Sequence, residues 1–313
     1  MFKIRIAEEL DFNPEVIDFL RSFAKVDVEG CEQDEVHSIL HGYDVFWFRL
    51  GFRIGAKELG ESPRCRVLAT PVTGIDFIDE KACAARNVTI ACLRGEREFL
   101  KKVRATAELT IALTFDLLRH TAQAQQDTED GHWRRDLFRG EEIFEKKVGI
   151  VGYGRLGAIT ADFYEALGAY VSYTDIRDVN ARPSHKFVES LEELIKDSDI
   201  VSVHVNYNEY THHLLNDEIF RYFSGKQYLI NTSRGGVISE KALLEALNRG
   251  MLKGAALDVV QNEHLFDATN PLTLYAKANK NLILTPHIGG NTYESFSKTE
   301  WFIAEKIKNI LNV

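Results

Sequence analysis

The stretch that decides the fold is Lys147-Val-Gly-Ile-Val-Gly-Tyr-Gly-Arg-Leu-Gly157, an apolar run that leads into three spaced glycines and then a helical pattern. Glycines spaced as Gly152, Gly154 and Gly157 let a chain turn tightly, approach a pyrophosphate and pack a helix on a strand. The first turn of that helix offers unpaired N–H groups to phosphate oxygens. The stretch therefore predicts a dinucleotide site with contacts from Gly152, Tyr153, Gly154, Arg155, Leu156 and Gly157.

The residue predicted to select the cofactor follows the next apolar run. Residues 170–174 form a second predicted strand that is followed by Asp175, near the offset of about 20 residues at which an acid binds the ribose hydroxyls. A carboxylate there repels the 2′-phosphate of NADP, so the predicted cofactor is NAD. Arg177 acts in the opposite direction, since an arginine can bind that phosphate. The alternative is a glycine-rich turn followed by a solvent-exposed aspartate.

Apolar runs alternate with helical patterns along the whole chain, which is typical of βαβ units around parallel sheets. The first set of predicted strands covers residues 2–7, 24–28, 44–49, 66–70 and 89–93, and the second covers residues 147–152, 170–174, 200–205, 227–232, 254–259 and 281–285. Between the sets we predict a helix from about Glu98 to His120 and a polar loop from Thr121 to Gly140. A last helix is predicted from Ser295 to Asn312.

Length and charge limit the possible functions. The chain has 313 residues, enough for two domains at about 150 residues each. Apolar residues make up 45% and charged residues 27%, as in globular proteins. The formal charge of −9 argues against a nucleic-acid partner, because such proteins gather lysine and arginine on one face. An anionic ligand must therefore meet local positive groups.

The sequence also gives expectations about location and metals. The N-terminal residues alternate like a strand and lack the apolar region of a signal peptide. The most apolar helix, around Ala107 to Leu118, is too short for a membrane span, which needs about 20 apolar residues. The cysteines show no CxxC pair or metal-ligand spacing; they are Cys31, Cys65, Cys83 and Cys92. We therefore expect a cytoplasmic protein with reduced thiols, no membrane contact and no metal.

Three chemically useful residues follow the later predicted strands. Arg234 follows residues 227–232, Glu263 lies shortly after Asp258, and His287 follows residues 281–285. Ligands of open parallel sheets bind beyond the carboxyl ends of strands, so these side chains are candidates for one crevice. An arginine binds the carboxylate of a 2-oxo acid, a histidine protonates its carbonyl oxygen, and a carboxylate orients the imidazolium. The alternatives are an arginine that caps a turn and a structural loop histidine.

Several ordered motifs together resemble the D-isomer-specific 2-hydroxyacid dehydrogenase family, which includes phosphoglycerate dehydrogenases and glyoxylate/hydroxypyruvate reductases. The motifs are Thr73-Gly-Ile-Asp76, Ala105-Thr-Ala-Glu108, Gly152-Tyr-Gly-Arg-Leu-Gly157, Asn231-Thr-Ser-Arg-Gly-Gly-Val-Ile-Ser-Glu240, Gly254-Ala-Ala-Leu-Asp-Val259 with Glu263, and Thr285-Pro-His-Ile-Gly-Gly290. The resemblance implies two flavodoxin- or Rossmann-like α/β domains with doubly wound parallel sheets. It places a catalytic domain at residues 1–101 and 288–313, with an NAD-binding domain inserted at 102–287.

The resemblance also implies roles for individual residues. Arg234 binds substrate, His287 is the acid/base and Glu263 is its partner. Asp258 lies beside the nicotinamide, Thr106 and Thr232 belong to the cofactor site, and Thr73 and Gly74 receive the substrate carboxylate. Arg49, Arg94 and Arg97 lie where the family contacts the distal part of its acid, and the alternative is that they are solvated surface arginines. Leu50-Gly-Phe52 stands where phosphate-handling relatives tend to have hydroxyl residues, so the acid itself stays open.

The predicted activity is hydride transfer between NAD and C2 of a small 2-hydroxy or 2-oxo acid. Two alternatives share the fold: a corepressor- or sensor-like protein that binds NAD to control protein contacts, and a formate- or phosphite-type dehydrogenase. The long helix and the Trp133 segment resemble the dimer arm of the family, which implies a homodimer.

Overall fold

The computed structural model describes residues 1–8 and 11–313. These residues form two compact units, Met1–Val103 with Thr292–Val313 and Arg104–Asn291, called here the first and second unit. The second unit is thus inserted in the chain of the first.

The helices and strands follow one another in the alternation expected of α/β units. The strands are β1 (Phe2–Ile6), β2 (Ala24–Val28), β3 (Val45–Trp47), β4 (Val67–Ala69), β5 (Thr89–Ala91), β6 (Lys147–Val151), β7 (Tyr170–Thr174), β8 (Lys186–Phe187), β9 (Ile200–Val203), β10 (Tyr228–Asn231), β11 (Gly254–Leu257) and β12 (Leu282–Leu284). The helices are α1 (Pro14–Arg21), α2 (Val36–Gly42), α3 (Ala56–Leu59), α4 (Glu80–Ala85), α5 (Arg97–Leu100), α6 (Ala105–Arg119), α7 (Thr121–Glu129), α8 (Arg155–Ala166), α9 (Leu191–Asp197), α10 (Asp217–Phe220), α11 (Glu240–Asn248), α12 (Pro271–Ala278) and α13 (Tyr293–Leu311). Short 3-10 helices lie at Gln33–Glu35, Arg135–Phe138, Gly235–Val237 and Glu263–Leu265.

The first unit is built on a five-stranded sheet in the order β2-β1-β3-β4-β5. Every pair in this sheet is parallel. This is the doubly wound order of flavodoxin-like folds. Strand β3 shows why the sequence is apolar without alternation: Val45 and Trp47 belong to one buried cluster, and Phe46 belongs to the cluster on the opposite face. A parallel strand covered on both faces needs apolar side chains at successive positions.

The second unit is built on a seven-stranded parallel sheet in the order β12-β11-β10-β9-β6-β7-β8. Strand β6 pairs with β7 on one side and with β9 on the other. The order of the strands reverses at this point, and dinucleotides bind where a doubly wound sheet has this switch. The glycine-rich turn after β6 therefore lies where the sheet favours a ligand.

Two predictions about the connection between the predicted strand sets are wrong. The predicted loop from Thr121 to Gly140 contains α7 and a 3-10 helix. Helix α7 is polar all round, so it lacks the apolar period that marks a helix in sequence. Its polar side chains instead form pairs four residues apart, Gln125 with Glu129 and Gln126 with Asp130.

The predicted helix from Glu98 to His120 is two helices, α5 and α6. The break between them coincides with the passage of the chain from the first unit to the second. Leu100 packs in a core of the first unit, whereas Leu113 and Leu117 pack in a core of the second. The break in the helix therefore lies between residues that pack in the cores of different units.

The cysteines are free, as the sequence predicts. Burial raises the pKa of Cys65 to about 12 and of Cys83 to about 11. These thiols are therefore protonated and unreactive at neutral pH.

Among the helices in the described parts of the chain, none combines the length and the apolar character that a membrane crossing requires.

Candidate active site

The three candidate catalytic segments lie at one edge of the second unit's sheet, namely the edge formed by the carboxyl ends of its strands. Strands β10, β11 and β12 are neighbours, and their last residues, Asn231, Leu257 and Leu284, are paired in register. Arg234, Asp258 and His287 follow these last residues along the chain. Because the strands are parallel, the three connecting segments leave the sheet at the same edge.

Glu263 and His287 form a direct pair. The distance between the Glu263 Oε2 and the His287 Nδ1 is 2.7 Å. The His287 side chain is 23% exposed and that of Glu263 is 39% exposed, so solvent reaches both groups. A carboxylate bound to one ring nitrogen fixes the orientation of the imidazole, so that its other nitrogen can transfer a proton to a substrate. The structure therefore brings together the acid/base and the partner that the sequence predicts.

Asp258 holds the loop that carries His287. The carboxylate is buried; its Oδ1 accepts hydrogen bonds from the Thr285 hydroxyl at 2.6 Å and the Ile288 N–H at 2.9 Å, and its Oδ2 accepts one from the Gly289 N–H at 2.8 Å. The backbone N–H of His287 also donates to the Asp258 carbonyl oxygen. These bonds fix the end of β12 against the end of β11. Asp258 thus has a positioning role besides the cofactor contact that the family resemblance implies.

Arg234 lies in a tight turn after β10. The Asn231 Oδ1 accepts hydrogen bonds from the backbone and hydroxyl of Ser233, and the Asn231 amide donates to the Arg234 carbonyl oxygen at 3.0 Å. A Cβ atom at Gly235 would lie 2.0 Å from the carbonyl carbon of Val260, so only glycine allows this close approach. The sequence Asn-Thr-Ser-Arg-Gly-Gly therefore encodes one turn that presents a half-buried arginine.

The glycine-rich turn has the geometry of a dinucleotide site. Gly152 has a φ of +91°, a conformation that favours glycine. At Gly157 a Cβ atom would lie 2.1 Å from the Gly152 carbonyl oxygen, so only glycine allows the close contact between strand and helix. At Gly154 the nearest atom to a Cβ is a nitrogen of Arg177 at 3.5 Å, so this position is open. A phosphate can approach the backbone there and meet the N-terminus of α8.

Arg155 and Leu156 form the first residues of α8 and are partly buried. Burial lowers the pKa of the Arg155 guanidinium. Tyr153 is buried, and its ring packs against Tyr173 with a centroid distance of 4.2 Å. The backbone of Tyr153 therefore belongs to the turn, whereas its side chain belongs to the core.

Asp175 lies at the end of β7 and bonds to the glycine-rich turn. Its Oδ2 accepts a hydrogen bond from the Tyr153 N–H at 2.9 Å. The Arg177 guanidinium donates to both carboxylate oxygens, at 3.0 and 3.1 Å. Burial opposes the charge of Asp175, but the bonds from Arg177 and Tyr153 hold the pKa of the carboxyl below its usual value. The group is therefore an ionised carboxylate at neutral pH.

The predicted cofactor residues Thr106 and Thr232 are linked through Thr110. The hydroxyls of Thr110 and Thr232 lie 2.9 Å apart, and the Thr110 hydroxyl also lies 2.8 Å from the Thr106 carbonyl oxygen. Thr106 is also close to Gly289 in the His287 loop, since a Cβ atom there would lie 3.0 Å from the Thr106 methyl carbon. The first turn of α6 therefore packs beside both β10 and the His287 loop.

His204, which was not singled out from the sequence, lies beside the glycine-rich turn. It follows β9, next to the glycine-rich turn, and a Cβ atom at Gly152 would lie 3.0 Å from its carbonyl oxygen. Its Nε2 and the Ser202 hydroxyl lie 2.8 Å apart. Burial lowers the pKa of His204 to about 3, which keeps the ring neutral. The sequence feature that could have identified it is its position directly after an apolar strand.

The remaining predicted site residues lie in the first unit, where Arg49 is held by acidic side chains. Its Nη2 lies 2.6 Å from the Glu300 Oε1, and its Nη1 lies 3.5 Å from the Glu8 Oε2. The guanidinium also stacks on the Phe296 ring, with 3.9 Å between the guanidinium carbon and the ring centroid. Burial raises the pKa of both Glu8 and Glu300, against the opposing effect of Arg49. Arg49 is therefore already paired with carboxylates.

Arg94 is paired as well, in an exposed bidentate contact with Glu80.

Thr73 and Gly74 lie in the segment after β4, and Thr73 is exposed. This is the carboxyl end of a parallel strand, the end at which ligands bind in such sheets.

Comparison with known proteins finds relatives in one family of enzymes. The sequence profile of the D-isomer specific 2-hydroxyacid dehydrogenase NAD binding domain matches residues 111–289. The chain is 32% identical over 267 residues to a glyoxylate reductase of Thermofilum pendens, which covers 83% of this chain and 76% of that protein. It is 28% identical over 314 residues to a D-3-phosphoglycerate dehydrogenase of Synechocystis sp., covering 99% of this chain. The chain spans 54% of the length of that relative.

Among solved structures, an acyclic imino acid reductase in complex with NADPH and D-Arg matches with a TM-score of 0.84 at 25% identity, over 99% of this chain and 97% of that one. The chain belongs to the D-isomer specific 2-hydroxyacid dehydrogenase family. The predictions of this family, of two doubly wound α/β domains and of a nicotinamide dinucleotide cofactor are confirmed.

The crowding at Gly157 and the open space at Gly154 give a matched pair of substitutions. Gly157→Ala forces a methyl group against the Gly152 carbonyl and should destabilise the protein by about 1–3 kcal/mol. Gly154→Ala should change stability by less than about 0.5 kcal/mol, because nothing is crowded there. Denaturant unfolding of both variants checks this, with NADH binding measured in parallel. Equal stability of the two variants would contradict the packing role of Gly157.

Proposed function

We propose that the protein catalyses the reversible NAD-dependent reduction of a small 2-oxo acid to the D-2-hydroxy acid. The observation that carries this proposal is the 2.7 Å contact between Glu263 and His287, at the sheet edge that also presents Arg234. Relatives named as glyoxylate reductase and D-3-phosphoglycerate dehydrogenase support an acid of this class. We assign cofactor binding to the second unit.

The residues divide the chemistry between them. When bound, NADH supplies the hydride that adds to C2 of the oxo acid. Arg234 binds the substrate carboxylate and carbonyl oxygen through the two parallel N–H groups of its guanidinium. His287 donates its proton to the carbonyl oxygen, and Glu263 orients the ring for that transfer. In the direction of oxidation the neutral His287 accepts the hydroxyl proton.

The central test is a steady-state assay with NADH and a panel of 2-oxo acids, with formate and phosphite tested as reductants of NAD. The panel contains glyoxylate and acids with apolar, hydroxylated, phosphorylated and cationic side chains. Turnover of at least one 2-oxo acid to the D-hydroxy product supports the proposal. NADH binding without turnover of any member favours a sensor-like protein, and turnover confined to formate or phosphite favours the other dehydrogenase class.

Within that panel we expect an unphosphorylated acid larger than glyoxylate, with an apolar portion and a polar end. The family resemblance places Arg49 toward the distal part of the substrate, and its guanidinium is already shared by Glu8 and Glu300. A phosphate would have to compete with both carboxylates for the same cation. A best substrate that is glyoxylate or a phosphorylated acid would contradict this expectation.

The role of His287 can be tested by removing the proton donor. His287→Ala should lower kcat for reduction by roughly 10²- to 10⁴-fold. Glu263→Gln should also lower kcat, by less than His287→Ala, because the ring keeps its proton but loses the carboxylate that orients it. His264→Ala is the matched control, because this neighbouring histidine is exposed. Near-normal turnover of His287→Ala would exclude it as the donor.

Cofactor preference is predicted from the charge of Asp175. Two like charges about 4 Å apart interact by about 4 kcal/mol at an effective dielectric of about 20, and about 1.4 kcal/mol already gives a tenfold preference. NADH should therefore be favoured over NADPH by at least about tenfold in kcat/KM. In Asp175→Ala the ratio should fall, since Arg177 loses its carboxylate partner. Arg177→Ala separates the two effects, and an unchanged ratio in Asp175→Ala would exclude the carboxylate as the selector.

We also propose a homodimer formed through the segment after α7. Trp133 is 89% exposed and Leu137 is 64% exposed, which is unusual for side chains of this size on a free surface. Sedimentation of the wild type should give the mass of a dimer at micromolar concentration, and Trp133→Glu should shift it toward the monomer. A monomeric wild type would contradict the proposal.

The free cysteines, most of them buried, are consistent with a reducing compartment such as the cytoplasm.

A further inference from the structure

A cluster of two carboxylates and one imidazole lies on the second unit, apart from the candidate catalytic residues. Asp162 and Glu165 are three residues apart on α8 and therefore share one face of the helix. His185 lies in the segment before β8. One ligand atom from each of the three residues lies within 4.8 Å of the others. The carboxylates are partly exposed, whereas the imidazole is buried.

The state of the His185 ring points to a ligand. Its side chain is 1% exposed. The Nδ1 lies 2.5 Å from the Tyr153 hydroxyl oxygen. The Nε2 is buried and has no hydrogen-bond partner in residues 1–8 and 11–313; its distance to the Glu165 Oε2 is 3.5 Å. Buried polar groups are rarely left without a partner, and this nitrogen faces the Glu165 carboxylate.

We propose that Asp162, Glu165 and His185 bind a divalent transition-metal cation of the zinc type. Ligands about 2.0–2.2 Å from a tetrahedral zinc ion lie about 3.4 Å from one another. The 3.5 Å between the His185 Nε2 and the Glu165 Oε2 is close to that separation and too long for a good hydrogen bond. A ligand set with an imidazole nitrogen favours zinc over the hard cations magnesium and calcium.

Tyr153 supplies the support that a metal-binding histidine needs. Such a histidine usually donates its second ring N–H to an oxygen acceptor, which fixes the tautomer with a lone pair on the metal-facing nitrogen. The Tyr153 hydroxyl oxygen lies 2.5 Å from the His185 Nδ1, where it can accept that N–H. The ring is held further by an edge contact with the Tyr153 ring, at a centroid distance of 5.7 Å. His185 is thus oriented from the core side while its Nε2 faces the carboxylates.

Arg182 competes with the metal for the carboxylates. Its Nε lies 2.6 Å from the Asp162 Oδ1, and its Nη1 lies 3.5 Å from the Glu165 Oε2. The Arg182 side chain is 57% exposed, so it can leave the cluster for solvent. Metal binding must displace this guanidinium. Removing Arg182 should therefore strengthen metal binding, whereas removing His185 should abolish it.

The experiment is isothermal titration of the full chain with Zn²⁺, repeated with Mg²⁺. His185→Gln should lack one zinc equivalent that the wild type binds, and Asp162→Asn should lack it too. Arg182→Gln should bind that equivalent at least about tenfold more tightly, because a competing charge has been removed. His41→Gln is the matched control, as it removes an exposed histidine elsewhere. Circular dichroism of each variant verifies folding, and Asp162→Asn keeps the test valid if His185→Gln does not fold.

Loss of the equivalent in both ligand variants, with tighter zinc binding in Arg182→Gln, supports the site. Equal stoichiometry in the wild type and Asp162→Asn overturns it, as does an unchanged affinity in Arg182→Gln; Arg182 is then the permanent partner of these carboxylates. Magnesium binding at the same affinity as zinc would also overturn it, since the imidazole would then contribute nothing. Binding is measured without substrate, so the result does not depend on the proposed activity.

Discussion

The hydrogen bonds of Asp258 are the constraint on which the candidate active site depends. This one carboxylate is buried and accepts bonds from Thr285, Ile288 and Gly289, which together define the loop around His287. His287 itself has a φ of +55°, a conformation that costs free energy for a residue other than glycine. Because several bonds hold the loop on both sides of His287, the fold can maintain that conformation. The Glu263–His287 distance is therefore set by the sheet edge and not by the two side chains alone.

A second constraint is the close approach of backbone segments where the strands end. Gly157 packs against the carbonyl of Gly152, and Gly235 packs against the carbonyl of Val260. In both places the space is too small for a Cβ atom. Only glycine therefore allows the two backbone segments to approach so closely. The first contact brings α8 onto β6, so that the N-terminus of the helix lies at the glycine-rich turn. The second brings the Arg234 turn against the segment that leads to Glu263.

The fold class and most strands followed from the sequence, because strands covered on both faces leave continuous apolar runs. The positions of Arg234 and His287 were predictable for the same reason, since each residue follows such a run within a few positions. The hydrogen bonds of Asp258 were not predictable, because spacing along the chain does not determine which atoms meet. Helix α7 was missed because its polar surface has no period to detect. The neutral state of His204 arises from burial, which a single sequence does not report.

The bonds around Asp175 connect cofactor choice to the position of one arginine. An ionised carboxylate has about four acceptor positions, and Asp175 accepts from the Tyr153 N–H and from three N–H groups of Arg177, one of the backbone and two of the side chain. Ribose hydroxyls can bond to this carboxylate only when the Arg177 side chain, which is 58% exposed, moves away. The released guanidinium is then available to a 2′-phosphate. In the cofactor choice proposed above, Asp175 and Arg177 therefore act as one unit: the charge of the carboxylate disfavours a 2′-phosphate, and the released guanidinium opposes that effect.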